Sequence, residues 1–243
     1  MKNSLFILII FVIFFFLYYL IQIPPLLNID DIKLFLTIST FIFAIFAGFF
    51  ISKQSLRYSQ IRDTISKFDG NMSFIYRCFQ HFDQAQIEVG KILKAHYQPI
   101  LKEKKWYYPF TRKTTTLTSI HNLIEKISQE KSLSDLHKAV LARIMASLQE
   151  AQRLRKEMIA LYQERYPKLQ WVPIYLFTLI IFINLSFVQS YQSFLTSLFK
   201  SIFITGIFFV IILLYKLDQL EFFEGMVGEN SARDVLEIIE GKK

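Results

Sequence analysis

The chain reads as an all-α integral membrane protein: four transmembrane helices in two hairpins, with a cytoplasmic helical bundle between them. Three observations predict this. Hydrophobic residues fill 53% of the 243 positions and gather into long uncharged blocks. The residues between those blocks keep a helical period, with no convincing run of apolar–polar alternation. Lys and Arg near the block ends fall on one side. With one Cys, six Pro, seven Gly and 26 Phe, the composition excludes a disordered tail and a disulfide-stapled secreted module. The blocks exclude an ordinary soluble enzyme.

The first block, 5–23, has nineteen residues without a charge, sixteen of them Leu, Ile, Val or Phe. As a helix it is about 28 Å long, close to the hydrocarbon thickness of a bilayer. A cleaved signal peptide has a shorter apolar core, about 7–15 residues, ending at small residues. This run ends in Ile23-Pro24-Pro25, so a retained span is expected. The second span, 34–52, is fenced by Lys33 and Lys53. A third uncharged stretch, 169–199, is too long for one helix. Its polar middle, 189–193, is the expected turn between spans at about 170–188 and 194–215. The domains are then a hairpin over 1–52, a helical region over 53–168, a second hairpin over 169–216 and an amphipathic tail over 217–243.

Charge sets the orientation. The segment 53–170 holds 21 Lys and Arg against 11 Asp and Glu, a net of +10 within a chain of +8. Lys53, Arg57, Arg62, Arg165, Lys168 and Lys216 lie near span ends on that same side. The positive-inside rule places both termini and residues 53–168 in the cytoplasm, the protein itself in the inner (plasma) membrane. Anionic lipid headgroups account for the remaining basic excess, and no nucleic-acid reading motif accompanies it.

Within the middle segment Ile61, Ile65, Phe68, Met72, Ile75, Phe79 and Phe82 alternate in steps of four and three, a coiled-coil-like seam. The pattern weakens through Ala85, Val89 and Leu93 and is expected to stop near Pro99. Gly70 within it marks a bend or a close helix contact. A break at 104–110, rich in aromatics, precedes a short helix over 117–130. The cluster is either a membrane-surface docking patch or a loop packed on the bundle. Ser134 is the expected cap of a long helix ending before Pro167.

No nucleophile elbow, phosphate loop, dinucleotide fingerprint or metal-ligand spacing occurs. His81, His96, His121 and His137 are scattered, and His81 with Asp83 makes a site only if the fold assembles one. Arg77 beside Cys78 is a candidate to lower the thiol pKa. The acids Asp218, Glu221, Glu224, Glu229 and Asp234 lack the spacing of a calcium loop and read as a solvated tail. No enzyme activity, cofactor or metal is expected.

Polar groups inside the apolar blocks are the better leads. In the second span Thr37, Ser39 and Thr40 precede Phe41, Phe43, Phe46, Phe49 and Phe50, while Ala44 and Gly48 form a small-residue face. Repeated around a symmetry axis, such a helix offers a hydroxyl-lined mouth and an aromatic constriction. The alternative is helix packing with each hydroxyl bonded to its own backbone. Lys200 either snorkels to the outer headgroups or forms a positive ring for anions. Asn184 is a candidate to bridge helices.

As a whole the layout resembles the bestrophin-like family. The resemblance rests on Gly48-Phe49-Phe50-Ile51-Ser52 leading to Arg57-Tyr58, on Ile75-Tyr76-Arg77, on Arg165-Tyr166-Pro167, and on Leu217-Asp218 with Phe223 and Gly225. Where the family pattern has Pro-Phe soon after Leu-Asp, this chain has Gln219-Leu220-Glu221-Phe222-Phe223. True bestrophins are pentameric anion channels lined by the second span. The resemblance therefore implies a homo-oligomeric channel for small anions, with Phe43, Phe46 and Phe50 as a constriction; with the hydroxyls of Thr37 and Thr40 these are the expected pore-lining positions. The competing expectation is a non-conducting membrane scaffold or sensor whose cytoplasmic seam recruits partner helices.

Overall fold

All secondary structure among the described residues is helical. The computed structural model describes residues 2–20, 28–107, 109, 115–129, 133–188, 194–221 and 227–242. In chain order the helices are α1 (Lys2–Leu20), α2 (Ile29–Phe79), α3 (Asp83–Glu103), α4 (Thr116–Ser128), α5 (Asp135–Gln163), α6 (Lys168–Phe187), α7 (Phe194–Asp218) and α8 (Val227–Ile239). They form two units: Met1–Ser55 with Arg165–Glu221, and Leu56–Glu164 with Phe222–Lys243.

In the first unit, α1, the start of α2, α6 and α7 share a core of Tyr18, Phe43, Ala47, Phe50, Ile174, Ile181, Leu185, Ile204, Ile207 and Leu214. Apolar windows long enough to cross a bilayer occur in three stretches: Ile29–Phe79, Asp135–Phe187 and Phe194–Asp218. The described apolar run of α1, Phe6–Leu20, is shorter. Residues 21–23, which the sequence assigns to the first span, and the expected turn at 189–193 lie outside the described residues. Most of each window faces outward, with side chains such as Phe41, Leu169, Leu179 and Phe199 exposed. In lipid such faces need no cover, because acyl chains are as apolar as they are.

Helix α2 begins with Asp30 and Asp31 in its first turn, where negative charge suits the dipole, and ends with Arg77 in its last. Its seam residues Ile61, Ile65, Phe68, Met72, Ile75 and Phe79 are all buried in the second unit. The seam therefore faces this chain's own bundle. It does not continue unbroken: after Phe79, three tight bonds (Gln80 N to Arg77 O, His81 N to Cys78 O, Phe82 N to Phe79 O) close the helix. Ala85, Val89 and Leu93 are buried on the separate α3. That helix runs past Pro99 to Glu103 and ends at Lys104 in the left-handed region (φ 55), a correction to the expected stop. Proline removes one helical bond, and the buried Tyr97 and Ile100 beside it hold the turn. Gly70 lies inside α2 and makes no close contact: among the described residues no atom lies within 4 Å of its Cβ position.

Ser134 caps α5 as expected, its Oγ accepting from His137 N at 3.3 Å. The short fourth helix spans Thr116–Ser128. Trp106 is buried, and Tyr107 stacks on Tyr162 at 4.6 Å. At these residues the loop-packing alternative holds; Tyr108 and Phe110 lie outside the described residues. The expected solvated tail is instead a docked helix. Ala232 and Val235 of α8 are buried, Tyr76 Oη donates to Ile239 O at 3.1 Å, and Gly90 admits Ile239 where a Cβ would meet it at 3.6 Å. Gly241 (φ 71) closes α8, with Lys242 N bonded to Glu237 O and Gly241 N to Ile238 O.

Candidate functional site

The residues proposed for a pore divide between two faces of α2. Thr37 is exposed, and its hydroxyl donates to Lys33 O at 2.9 Å; Ser39 likewise donates to Phe35 O at 2.6 Å. Both satisfy themselves on their own helix. The Thr40 hydroxyl is buried and, among the described residues, has no partner. Phe43 and Phe50 point into the core of the membrane unit, with Phe50 at 0% exposure. Phe46 is 37% exposed and stacks on Phe177 at 6.1 Å. Ala44 and Gly48 are exposed, and nothing lies within 4 Å of a Cβ at Gly48. The structure thus puts Thr37, Ala44, Phe46 and Gly48 at the surface and turns Phe43 and Phe50 away from it.

Where α2 leaves the apolar block, three segments meet on one carboxylate. Asp218, 5% exposed at the end of α7, accepts from Gln54 Nε2 at 3.1 Å and from the backbone N–H of Tyr166 at 2.8 Å. The Tyr166 ring lies 3.9 Å from that of Phe50, and Lys53 Nζ sits over it at 5.3 Å. Just beyond Asp218, Leu220 adopts a left-handed backbone (φ 61) while 3% exposed. Burial of its side chain holds a conformation that ordinarily favours glycine. Asp218 belongs to this junction, whatever the other acids of the tail do. The sequence signal for Gln54 is its place on the buried stripe Phe43, Ala47, Phe50, Gln54, Arg57, continued by Ile61, spaced by three and four.

Lys200 neither reaches outward as a free cation nor stands alone. Its Nζ donates to Val188 O at 2.6 Å and lies 5.7 Å from the Tyr18 ring centre. Val188 is the C-cap of α6, so the ammonium meets the negative end of that helix dipole. Asn184, expected to bridge helices, is buried with Nδ2 unpartnered among the described residues.

In the second unit Arg57 donates from Nε to Leu161 O at 2.9 Å and from Nη2 to Tyr162 O at 3.2 Å. It thereby caps α5, whose last turn carries no basic residue of its own. Asp69 is buried between helices and accepts from Tyr97 Oη at 2.6 Å and from the Ser231 hydroxyl. Burial lifts its pKa from 3.8 to about 6, against the pull of those two hydroxyls. His96, bonded to Thr116 Oγ1 at 3.1 Å, is lowered from 6.5 to about 4 by burial first and the Arg155 charge second. The two line one small cavity with Ile65, Phe68, Ile100, Trp106, Pro109 and Met158. Burial pushes the Cys78 thiol up, and the opposing charge comes from Arg143. The expected lowering by Arg77 is not the governing effect. Among the described residues no three His, Cys, Asp or Glu side chains are placed to hold a metal ion.

The family model for the Bestrophin-like domain matches residues 5–225, most of the chain. The protein belongs to the bestrophin-like family. In this bestrophin-like membrane protein the stretches that carry the likeness meet one another. Within the membrane unit, Tyr166 of Arg165-Tyr166-Pro167 bonds Asp218 of Leu217-Asp218 and covers Phe50 of the Gly48–Ser52 run. Within the other unit Arg57 caps α5 and Tyr76 holds α8. Phe223 and Gly225 lie outside the described residues. No curated protein and no solved structure matches the chain.

Proposed function

We propose that this bestrophin-like protein is a homo-oligomeric channel for small anions, with four spans, both termini and residues 53–168 cytoplasmic, and α2 at the pore. The observation that carries the reading is the outer face of α2. It offers the Thr37 hydroxyl, the small residues Ala44 and Gly48, and Phe41 at 65% exposure, with no atom of the described residues within 4 Å of a Cβ at Gly48. Small residues permit close approach of a second copy, and hydroxyls followed by aromatics suit a wetted mouth and a constriction. In this reading Phe41, on the same face of α2 as Thr37, Ala44 and Gly48, stands at the constriction, while Phe43 and Phe50 brace α2 from behind and Phe46 packs on Phe177. Thr40 supplies a buried hydroxyl near the mouth, and Lys200 shapes the end of α6 rather than forming a ring.

Purified protein in planar bilayers under a potassium chloride gradient is expected to give unitary currents reversing near the chloride potential. Phe41→Ala is expected to raise conductance and Phe43→Ala to leave selectivity unchanged. Silence across lipids, voltages and calcium levels would overturn the reading. The scaffold alternative has lost its docking seam, since Ile61–Phe79 is filled by the chain's own bundle.

A further inference from the structure

Between α4 and α5 lies an open groove of about 200 Å³, lined by Leu117, Thr118, His121, Leu148, Gln152 and Arg155. Its polar side chains all carry N–H or O–H donors, and no carboxylate lines it. Arg155 is half-buried. Two residues away, Arg153 is held by Glu150 at 2.6 Å and Glu157 at 3.4 Å. Arg155 makes no hydrogen bond or ion pair among the described residues. A guanidinium partly removed from water and left without an anion is a costly arrangement unless something charged visits it. The N-terminal end of α4 adds to the same field: its N-cap Thr115 makes no side-chain cap bond, and the positive end of the helix dipole lies there.

We infer that this groove is a binding site for a small organic oxyanion, with Arg155 as the charge partner. Thr118, His121 and Gln152 supply further hydrogen bonds, and Leu117 and Leu148 receive the apolar body. The volume is below that of drug-sized sites, which points to a ligand of few heavy atoms. His121 lies 3.7 Å from Glu125 on its own helix, so a bound oxyanion shares that imidazole with Glu125. The site is separate from α2 and does not rest on conduction.

The test is binding to the full-length protein in detergent, read as a rise in melting temperature at constant ionic strength. Inorganic phosphate and butyrate are the probes and chloride the control. A rise with phosphate alone marks a phosphate ester as ligand class, one with butyrate alone a carboxylate, and one with both a general oxyanion site. Arg155→Gln is expected to weaken binding about tenfold to a hundredfold, the loss of a charged hydrogen-bonding partner. Gln152→Leu, at the exposed rim and so harmless to folding, is expected to weaken it severalfold, which serves if Arg155→Gln fails to fold. No rise beyond chloride, or an undiminished rise in these variants, overturns the inference.

Discussion

In the membrane unit buried hydroxyls bond backbone carbonyls, on their own helix for Thr178 (to Ile174 O) and Ser201 (to Ser197 O) and across helices for Ser197 (to Tyr18 O at 3.5 Å). In the other unit Tyr97 and Ser231 reach across to Asp69 on a different helix. Among the described residues of the membrane unit the carboxylate that bonds across segments is Asp218, at the end of α7. The difference follows from the solvent. Lipid offers an unpaired polar group nothing, so hydroxyls such as those of Thr178 and Ser201 take a backbone carbonyl, and the buried carboxylate sits at a window end. Water can rescue a group that the second unit leaves open, so charged side chains enter its core once they have partners.

The sharpest break of that comparison is packing. Phe50→Ala is expected to destabilise the membrane unit by about 3–5 kcal/mol, because Phe50 is wholly enclosed by neighbours including Tyr166 and Trp171. Phe49→Ala, one residue on and 68% exposed, is expected to change stability by under about 0.5 kcal/mol in monodisperse detergent. Equal losses in thermal melts would mean that α2 is rotated from the orientation described.

Next comes acid titration of the second unit. Asp69, raised to about 6, favours the folded state below its ordinary 3.8, and that stability is lost as pH rises through 6. His96, lowered to about 4, favours the folded state above its ordinary 6.5, and that stability is lost as pH falls through 4. Each is worth about 3 kcal/mol, with opposite sign over nearly the same window. The unmodified protein should therefore show a nearly flat melting temperature from pH 6.5 to 4 as far as these two groups govern it. Asp69→Asn should make melting fall with acid, and His96→Gln should make it rise. Identical profiles for both variants would remove the opposition.

Asp218→Ala strands the Gln54 amide and the Tyr166 N–H, for an expected loss of about 2–3 kcal/mol by thermal melting in detergent. Asp218→Asn should recover part of it. The smallest effect is Ser134→Ala, which removes the α5 cap and is expected to cost about 1 kcal/mol by chemical denaturation.

The cap at Ser134 is legible in the sequence because capping is local: the acceptor and its donor, His137 N, are three residues apart. The buried seam from Ile61 to Phe79 is legible for the same reason, since helical period alone brings those side chains to one face. The junction on Asp218 is hidden because Gln54 lies 164 residues from it. Asp69 likewise takes partners 28 and 162 residues away. Phe43, Phe46 and Phe50 show the limit within a single helix. Their spacing shows which of them share a face, but not the direction in which that face turns. Thus the run lengths and periods of the chain determine helices and a lipid-facing class, both being properties of neighbouring residues. The rotation of α2, the place of α8 and the company of each buried acid were decided only when distant helices met. Those choices rest on packing and hydrogen bonds between segments that no local pattern connects.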